Sequence, residues 1–464
     1  MANQDTIVAL ATATGNGAIA VIRVSGADAI AIVNRVFKGK DLSQQPSHTI
    51  HFGTIRDGEE VLDEVLVSLF IGPNSYTGEN SVELSTHNSR YIIERVIQLL
   101  IKIGARAAQP GEFTLRAFLN GKMDLSEAEA VADLIASHSA ASHQVAMNQM
   151  RGGISNKLQQ MRGQLIDFAA LLELELDFGE EDVEFADREQ FITLIVELQS
   201  HIAKLISSFA YGNAIKHGVP VAIIGKPNAG KSTLLNTLID EERAIVSDIA
   251  GTTRDTIEEM VNLDGITFRF IDTAGLRETA DAIEAIGVTK AKEKVRQAKV
   301  LLYLYDGMAS TADEVIHQVR ELHYPGLIVI LVRNKIDMEG GYQPNEMDAA
   351  IKEALFSDYG DSLVAISAKD SRTVEGLKNE LVGKIRDLAV DDQQVITNTR
   401  HLEALHDALD SLSQVEQGLG MQLPGDLLAH HVRDALRHIS SITGDIDVDR
   451  DILGTIFGKF CIGK

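Results

Sequence analysis

The sequence predicts a multidomain chain of the α/β plus α class, and three observations carry that prediction. The first is the stretch Gly225-Lys226-Pro227-Asn228-Ala229-Gly230-Lys231-Ser232, which fits the pattern G-x-x-x-x-G-K-S/T. The apolar run Val221-Ala222-Ile223-Ile224 before it reads as a buried parallel strand, and Thr233 to Ile239 after it opens a helix. The second is an alternation of strand-like and helix-like patterns through residues 1–120. The third is a pair of helically patterned regions flanking the nucleotide-binding stretch, neither with a complete packing partner of its own. The expected plan is an α/β domain over 1–120, a helical bundle assembled from 121–215 and 386–464, and a P-loop domain over 216–385 inserted into it.

Taken in order, Ile7 to Ala11 and Ala18 to Ile22 are strand-like and Ala27 to Val36 has a helical pattern. Strands are expected again over Val61 to Ile71 and Val82 to Ser85, and a helix over Arg90 to Ile103. Gly72 to Asn80 is dense in turn formers, and Gln109-Pro110-Gly111-Glu112 is a second turn. Arg23 and Glu83 are charges inside otherwise apolar strands, a placement ordinary for a solvent-facing edge. Further on, Leu158, Met161, Leu165, Phe168, Leu172 and Leu176 recur at helical steps, as do Phe191, Leu194, Leu198, Ile202, Leu205 and Phe209. The same spacing returns in Leu402, Leu405, Leu409 and Leu412, then in Leu428, Val432, Leu436, Ile439 and Ile442.

Composition narrows the class. With 464 residues, 45% hydrophobic and 24% charged, the chain is globular with ample core. No apolar run approaches the ~20 residues that span a bilayer, and the first residues lack the basic region of a signal peptide. One cysteine, Cys461, excludes an internal disulfide framework, so a cytoplasmic protein without membrane partners is expected. The net charge of −24 opposes non-specific coating with nucleic acid; an RNA partner needs a local basic patch or a second protein.

The P-loop supplies the chemistry. Its glycines let successive N–H groups of Asn228, Ala229, Gly230, Lys231, Ser232 and Thr233 turn inward toward phosphate oxygens at a helix N-terminus. Lys231 reaches the terminal phosphates, and the Ser232 hydroxyl can ligate Mg2+. Asp272-Thr273-Ala274-Gly275 ends a strand-like run; Asp272 suits Mg2+ through water, and the Gly275 N–H suits the γ-phosphate. Asn334-Lys335-Ile336-Asp337 follows another apolar run, and Asp337 can accept from both N–H donors of guanine, which adenine lacks. Ser367-Ala368-Lys369 supplies a backbone donor for the guanine carbonyl. The segment Ser247-Asp248-Ile249-Ala250-Gly251-Thr252-Thr253 lies where a Ras-like switch I offers a threonine to Mg2+, and Thr253 is the choice. Where Ras-type GTPases place a water-orienting glutamine this chain has Leu276, so the water is positioned from elsewhere, with Glu278, Asp281 and Glu284 as candidates.

With these residues in view, the whole chain resembles the tRNA-modification GTPases of the MnmE (TrmE) family. The resemblance lies in Asp5 to Ala9, Gly72-Pro73-Asn74-Ser75, Gln109 to Phe113, Gly251 to Arg254, Asp272 to Arg277, and the final Phe460-Cys461-Ile462-Gly463-Lys464. It implies a folate-binding-type N-terminal domain, a helical domain and an inserted Ras-like G domain. It further implies a homodimer joined through the N-terminal domains and a flavoprotein partner, MnmG (GidA). The activity implied adds an aminomethyl or carboxymethylaminomethyl group to the wobble uridine of certain tRNAs, using GTP and a methylene or formyl tetrahydrofolate. By the same resemblance, Arg23, Glu83, Lys122 and Lys464 contact folate, and Asn228, Ser247, Ile249 and Thr252 hold K+. Glu284 then orients the water, and Cys461 takes part in modification. The chain departs from the family pattern at His87-Asn88-Ser89 and at Gln109. A different class of reading is a GTPase switch for RNA or ribosome assembly without modification chemistry. A prenylation box at Cys461 fits badly, since glycine and lysine fill its last two places.

Overall fold

The computed structural model describes residues 5–13, 15, 17–177, 188–242, 258–271, 292–359, 362–388, 395–421, 423–444 and 463. The chain divides into two compact units, one of Met1–Ala132, Gln149–Ile192 and Asp410–Lys464, the other of Asp133–Asn148 and Thr193–Leu409.

Period-two patterning builds the first sheet. Its strands are β1 (Ile7–Leu10), β2 (Ile19–Ser25), β3 (Phe37–Lys38), β4 (Thr49–Asp57), β5 (Glu60–Phe70), β6 (Ser81–His87) and β7 (Arg106–Ala107), in the order β3-β4-β5-β6-β2-β1-β7. Helices α1 (Ala29–Val36), α2 (Arg90–Lys102) and α3 (Glu112–Leu119) belong to the same region. Ile22, Val24, Val65, Val67, Val82 and Leu84 point to one face, where Ile32 and Val33 of α1 and Val96, Leu99 and Leu100 of α2 bury them. The alternate residues, among them Arg23 and Glu83, point to the other face.

Strand β4 escapes the sequence reading because the polarity of its first half is inverted. Ile50 and Phe52 are 65% and 66% exposed, while His51 and Gly53 point inward. Gly53 is required there: a Cβ would lie 2.5 Å from the Lys38 carbonyl oxygen.

Helices follow: α4 (Leu125–Ile135), α5 (Ala140–Met150), α6 (Gly153–Asp177) and α7 (Arg188–His217). On α6 the expected stripe Leu158, Met161, Leu165, Phe168 and Leu172 is buried. On α7, Phe191, Leu198, Ile202 and Leu205 are buried, but Ile195 takes the inward place expected of Leu194.

The second sheet has strands β8 (Val219–Gly225), β9 (Glu259–Leu263), β10 (Ile266–Phe270), β11 (Val300–Asp306), β12 (Ile328–Asn334) and β13 (Ser362–Ala365), in the order β13-β12-β11-β8-β10-β9. Its helices are α8 (Lys231–Glu242), α9 (Ala312–Leu322), α10 (Glu346–Tyr359) and α11 (Ser371–Arg386). Only the β9–β10 pair is antiparallel among the described pairings. Both faces are covered, which is why β11 and β12 are near-continuous apolar runs rather than alternating ones. After α12 (Thr399–Gly420), the last described helix, α13 (Gly425–Thr443), packs on α6, with Arg162 Nε donating to Ser440 Oγ at 3.0 Å. Segments from either side of the nucleotide-binding stretch thus share one helical core.

Candidate functional site

In a parallel sheet covered on both faces, ligands meet the loops at the carboxyl ends of the strands. Strand β8 delivers its chain there, and the loop turns through Asn228 and Gly230, with φ of 61° and 100°, before α8 starts at Lys231. At Gly230 a Cβ would lie 2.2 Å from Asn334 Nδ2, so this glycine lets the loop sit directly on Asn334. The Lys231 ammonium donates to the carbonyls of Gly225 at 2.7 Å and Lys226 at 2.9 Å, inside the cup of the loop. Burial, helped by the charge of Lys294, pushes its pKa below the usual lysine value. A phosphate in the cup would reverse that push. Ser232 lies exposed in the first turn of α8 and Asn228 exposed in the loop.

Asn334 ties three segments together. It is 2% exposed, donates from Nδ2 to the Ala229 carbonyl at 2.7 Å, and accepts at Oδ1 from the amides of Lys335 at 2.8 Å and Ala368 at 2.9 Å. Thr237 of α8 donates to the Ala368 carbonyl at 2.7 Å, and the Ser367 amide donates to Thr373 Oγ1 at 2.9 Å. Lys335, at φ 68°, extends its ammonium to Asp306 Oδ2 at 2.9 Å. Burial favours the neutral acid at Asp306, but the bonds from Lys335 and the Met308 amide outweigh it and hold the carboxyl below its ordinary range. Asp337 and Lys369 are exposed on the same set of loops.

The structure therefore gathers Asn228 to Thr233, Asn334 to Asp337 and Ser367 to Lys369 at the ends of β8, β12 and β13. That arrangement provides a phosphate cup, a helix N-terminus and a carboxylate set apart from them. Asp306 is a member that sequence reasoning missed; an aspartate closing an apolar strand is the signal that could have found it. Ser247 to Thr253, Asp272 to Gly275, and Glu284 lie outside the described residues, as do Cys461 and Lys464.

A second cluster forms on the open face of the first sheet. Arg23 and Glu83 are register partners across β2 and β6, joined at 2.9 Å through Arg23 Nε and 2.8 Å through Nη2. The guanidinium lies 5.3 Å from the Tyr76 ring centroid and 5.7 Å from that of Phe113. Tyr76 belongs to the loop after β5, and the Lys122 ammonium donates to Pro73 of the same loop at 3.0 Å. Arg23, Glu83 and Lys122 are thus collected around one loop.

That loop is pinned from behind by Arg116, whose side chain is 6% exposed. It binds Glu79 at 3.1 Å, Asp5 at 2.9 Å and Glu112 at 3.1 Å. Arg106 joins Asp5 at 2.6 Å and Glu112 at 2.5 Å, which explains the Gln109–Glu112 turn. Asn88 has a role of its own, donating from Nδ2 to the carbonyls of Gly15 and Gly17 at 2.8 Å each. Gly463 is buried against β1; a Cβ on it would lie 2.1 Å from the Leu10 carbonyl oxygen. Leu10 is the neighbour of Ala9, the register partner of Arg23.

A family profile described as the GTP-binding protein TrmE N-terminus matches residues 6–122, and one described as the MnmE helical domain matches residues 125–461. The chain is 52% identical to the tRNA modification GTPase MnmE of Christiangramia forsetii, over 99% of both chains. It is equally similar, at 52%, to the proteins of that name from Flavobacterium johnsoniae and Bacteroides thetaiotaomicron, over 100% of each chain.

Proposed function

The chain belongs to the tRNA modification GTPase MnmE family, and from that premise we propose that it hydrolyses GTP to support modification of the wobble uridine of certain tRNAs. The observation that carries the nucleotide half of this reading is the buried Asn334, which holds the phosphate loop and the base loops in one frame. Within that frame the N–H groups from Asn228 to Thr233 and the Lys231 ammonium bind the phosphates. Asp337 reads guanine, and Ser367 to Lys369 present a backbone donor to its carbonyl. Ser232 and Thr253, with Asp272 through water, would hold Mg2+, and Asn228, Ser247, Ile249 and Thr252 would hold K+. These ions would neutralise charge developing on the transferring phosphoryl group. The exposed hydroxyl of Ser232 and the exposed amide of Asn228 are oxygen donors at the loop, the chemistry both ions need. Glu284 orients the attacking water. Hydrolysis no faster in potassium than in sodium would remove the K+ assignment.

The modification half rests on the cluster around Arg23. Glu83 accepts from a pterin edge, the half-buried Tyr76 ring lies beside Arg23, and Arg23 and Lys122 suit the anionic tail of a tetrahydrofolate. When bound, that cofactor supplies the one-carbon unit. Gly463 packs beside Leu10 of β1, the strand paired with β2, which supports a role at this cluster for its sequence neighbours Cys461 and Lys464. Ile50, Phe52 and Leu66, exposed on the same open face, support a homodimer through the N-terminal domains. The chemistry further implies a flavoprotein partner of the MnmG type. Domain limits of 1–120, 121–215 with 386–464, and 216–385 go with this reading. Among the described residues no helix is long and apolar enough to cross a membrane.

The test has two arms. Titration of the purified protein with a reduced folate should show binding that Glu83→Ala abolishes. Nucleoside analysis of tRNA from cells lacking the gene should show an unmodified wobble uridine. Normal wobble nucleosides in those cells would favour a GTPase switch for RNA or ribosome assembly instead.

A further inference from the structure

Strand β12 carries a charge that its environment should reject. Arg333 is 4% exposed in a run otherwise made of Ile, Val and Leu, and it immediately precedes Asn334. Its Nη1 donates to Asp348 Oδ2 at 2.7 Å and to the Gln343 carbonyl at 3.5 Å, and its Nη2 donates to the Glu339 carboxylate. The guanidinium also lies 5.6 Å from the Tyr342 ring centroid. Glu339 stands two residues beyond Asp337, so the clasp joins the two ends of the segment that presents it.

The backbone closes the same segment. The amides of Glu339 and Gly341 both donate to the Ile336 carbonyl, at 3.2 and 3.0 Å. On its other side the clasp is anchored to α10 by a reciprocal cap. The Asp348 amide donates to Asn345 Oδ1 at 3.0 Å, and the Asn345 amide donates to Asp348 Oδ2 at 3.3 Å. Gly307 leaves the room for all this, since a Cβ there would lie 2.4 Å from Glu339 Oε1 and 2.6 Å from Arg333 Nε. A buried arginine shared by two carboxylates is a poor source of stability, because desolvation consumes most of the attraction. What such a group supplies is a fixed geometry.

We propose that Arg333 and Glu339 are positioning residues for base recognition, their clasp fixing the loop so that the Asp337 carboxylate meets the ring N–H and the exocyclic amino group of guanine together. This rests on the reading of Asp337 as the base reader. Hypoxanthine lacks the exocyclic amino group, so the ratio of GDP to IDP affinity reports how well the second of those bonds is made.

The experiment measures both affinities calorimetrically on the full-length protein. Glu339→Ala opens the clasp while leaving Arg333 paired with Asp348. It should lower the GDP-to-IDP ratio about tenfold, the scale of one weakened bond to a charged group. IDP affinity should stay close to wild type, and the thermal midpoint should fall without unfolding the protein, because the buried Arg333 keeps one of its two carboxylates. Glu339→Gln keeps an acceptor for Arg333 and should restore most of the ratio. Asp337→Ala is measured in parallel; an unchanged ratio there means the base is read elsewhere, and the proposal falls with that reading. If Asp337→Ala collapses the ratio while Glu339→Ala preserves it, or weakens GDP and IDP equally, the clasp is merely structural and the proposal is overturned.

Discussion

At Asn334 a single buried amide serves the phosphate loop and the Ser367–Lys369 loop together, so the chemistry of recognition comes down to a few fixed atoms. Asp337 stands beside it with its carboxylate exposed. Replacing Asp337 by Asn turns a double acceptor into one acceptor and one donor. GTP affinity should drop about ten- to a hundredfold, while xanthosine triphosphate, with a ring carbonyl in place of the amino group, should gain; competition against a fluorescent nucleotide measures both. Unchanged GTP affinity would refute the role. Glu284→Ala should slow hydrolysis by about a hundredfold with nucleotide affinity near normal, measured by single-turnover phosphate release. Loss of binding instead would mean that Glu284 holds nucleotide rather than water. The P-loop residues are legible in sequence because their spacing is local. Asp306, which holds Lys335 from the end of β11, shows in sequence only as an aspartate closing an apolar strand, because its partner follows a different strand.

Among the elements, α7 and β4 show where periodicity works and where it stops. The stripe on α7 has the right spacing, yet Ile195 is fully buried where Leu194 was expected, since 3.6 residues per turn does not fix the phase of a long helix. Ile195→Ala should cost about 2–5 kcal/mol, and Leu194→Ala, only partly buried, clearly less; chemical denaturation of the two variants checks the order, and the reverse order would reject this packing. Strand β4 is invisible to alternation because Ile50 and Phe52 face outward with His51 inward, while Ile55 further along faces the core.

For the whole molecule, the open face of the first sheet carries the Arg23–Glu83 pair and, two strands further out, exposed Phe52 and Ile50. Phe52→Asp should convert a dimer to monomer in sedimentation while GTP hydrolysis persists, because a charge in an apolar contact cannot be paired on both sides of a two-fold axis. A dimer that survives the change would place the interface elsewhere. Cys461→Ser should abolish wobble-uridine modification, read by nucleoside analysis, with GTPase activity and thermal midpoint retained. A variant that still modifies tRNA would end the catalytic role, and one that unfolds would make the cysteine structural.

The chain's own sequence determined the class of the fold, the order of its parts and the nucleotide chemistry. P-loop spacing, apolar runs and helical stripes are consequences of backbone geometry over a few residues. Tertiary structure decided what depends on pairing between distant strands. It set Arg23 opposite Glu83, with Tyr76 and Phe113 around them, and it closed the Arg116 network over Asp5, Glu79 and Glu112. It also turned Arg333, an anomalous charge in an apolar strand, into the clasp on Glu339. A buried charge is tolerated only where partners from other segments converge on it, and no local pattern encodes that convergence.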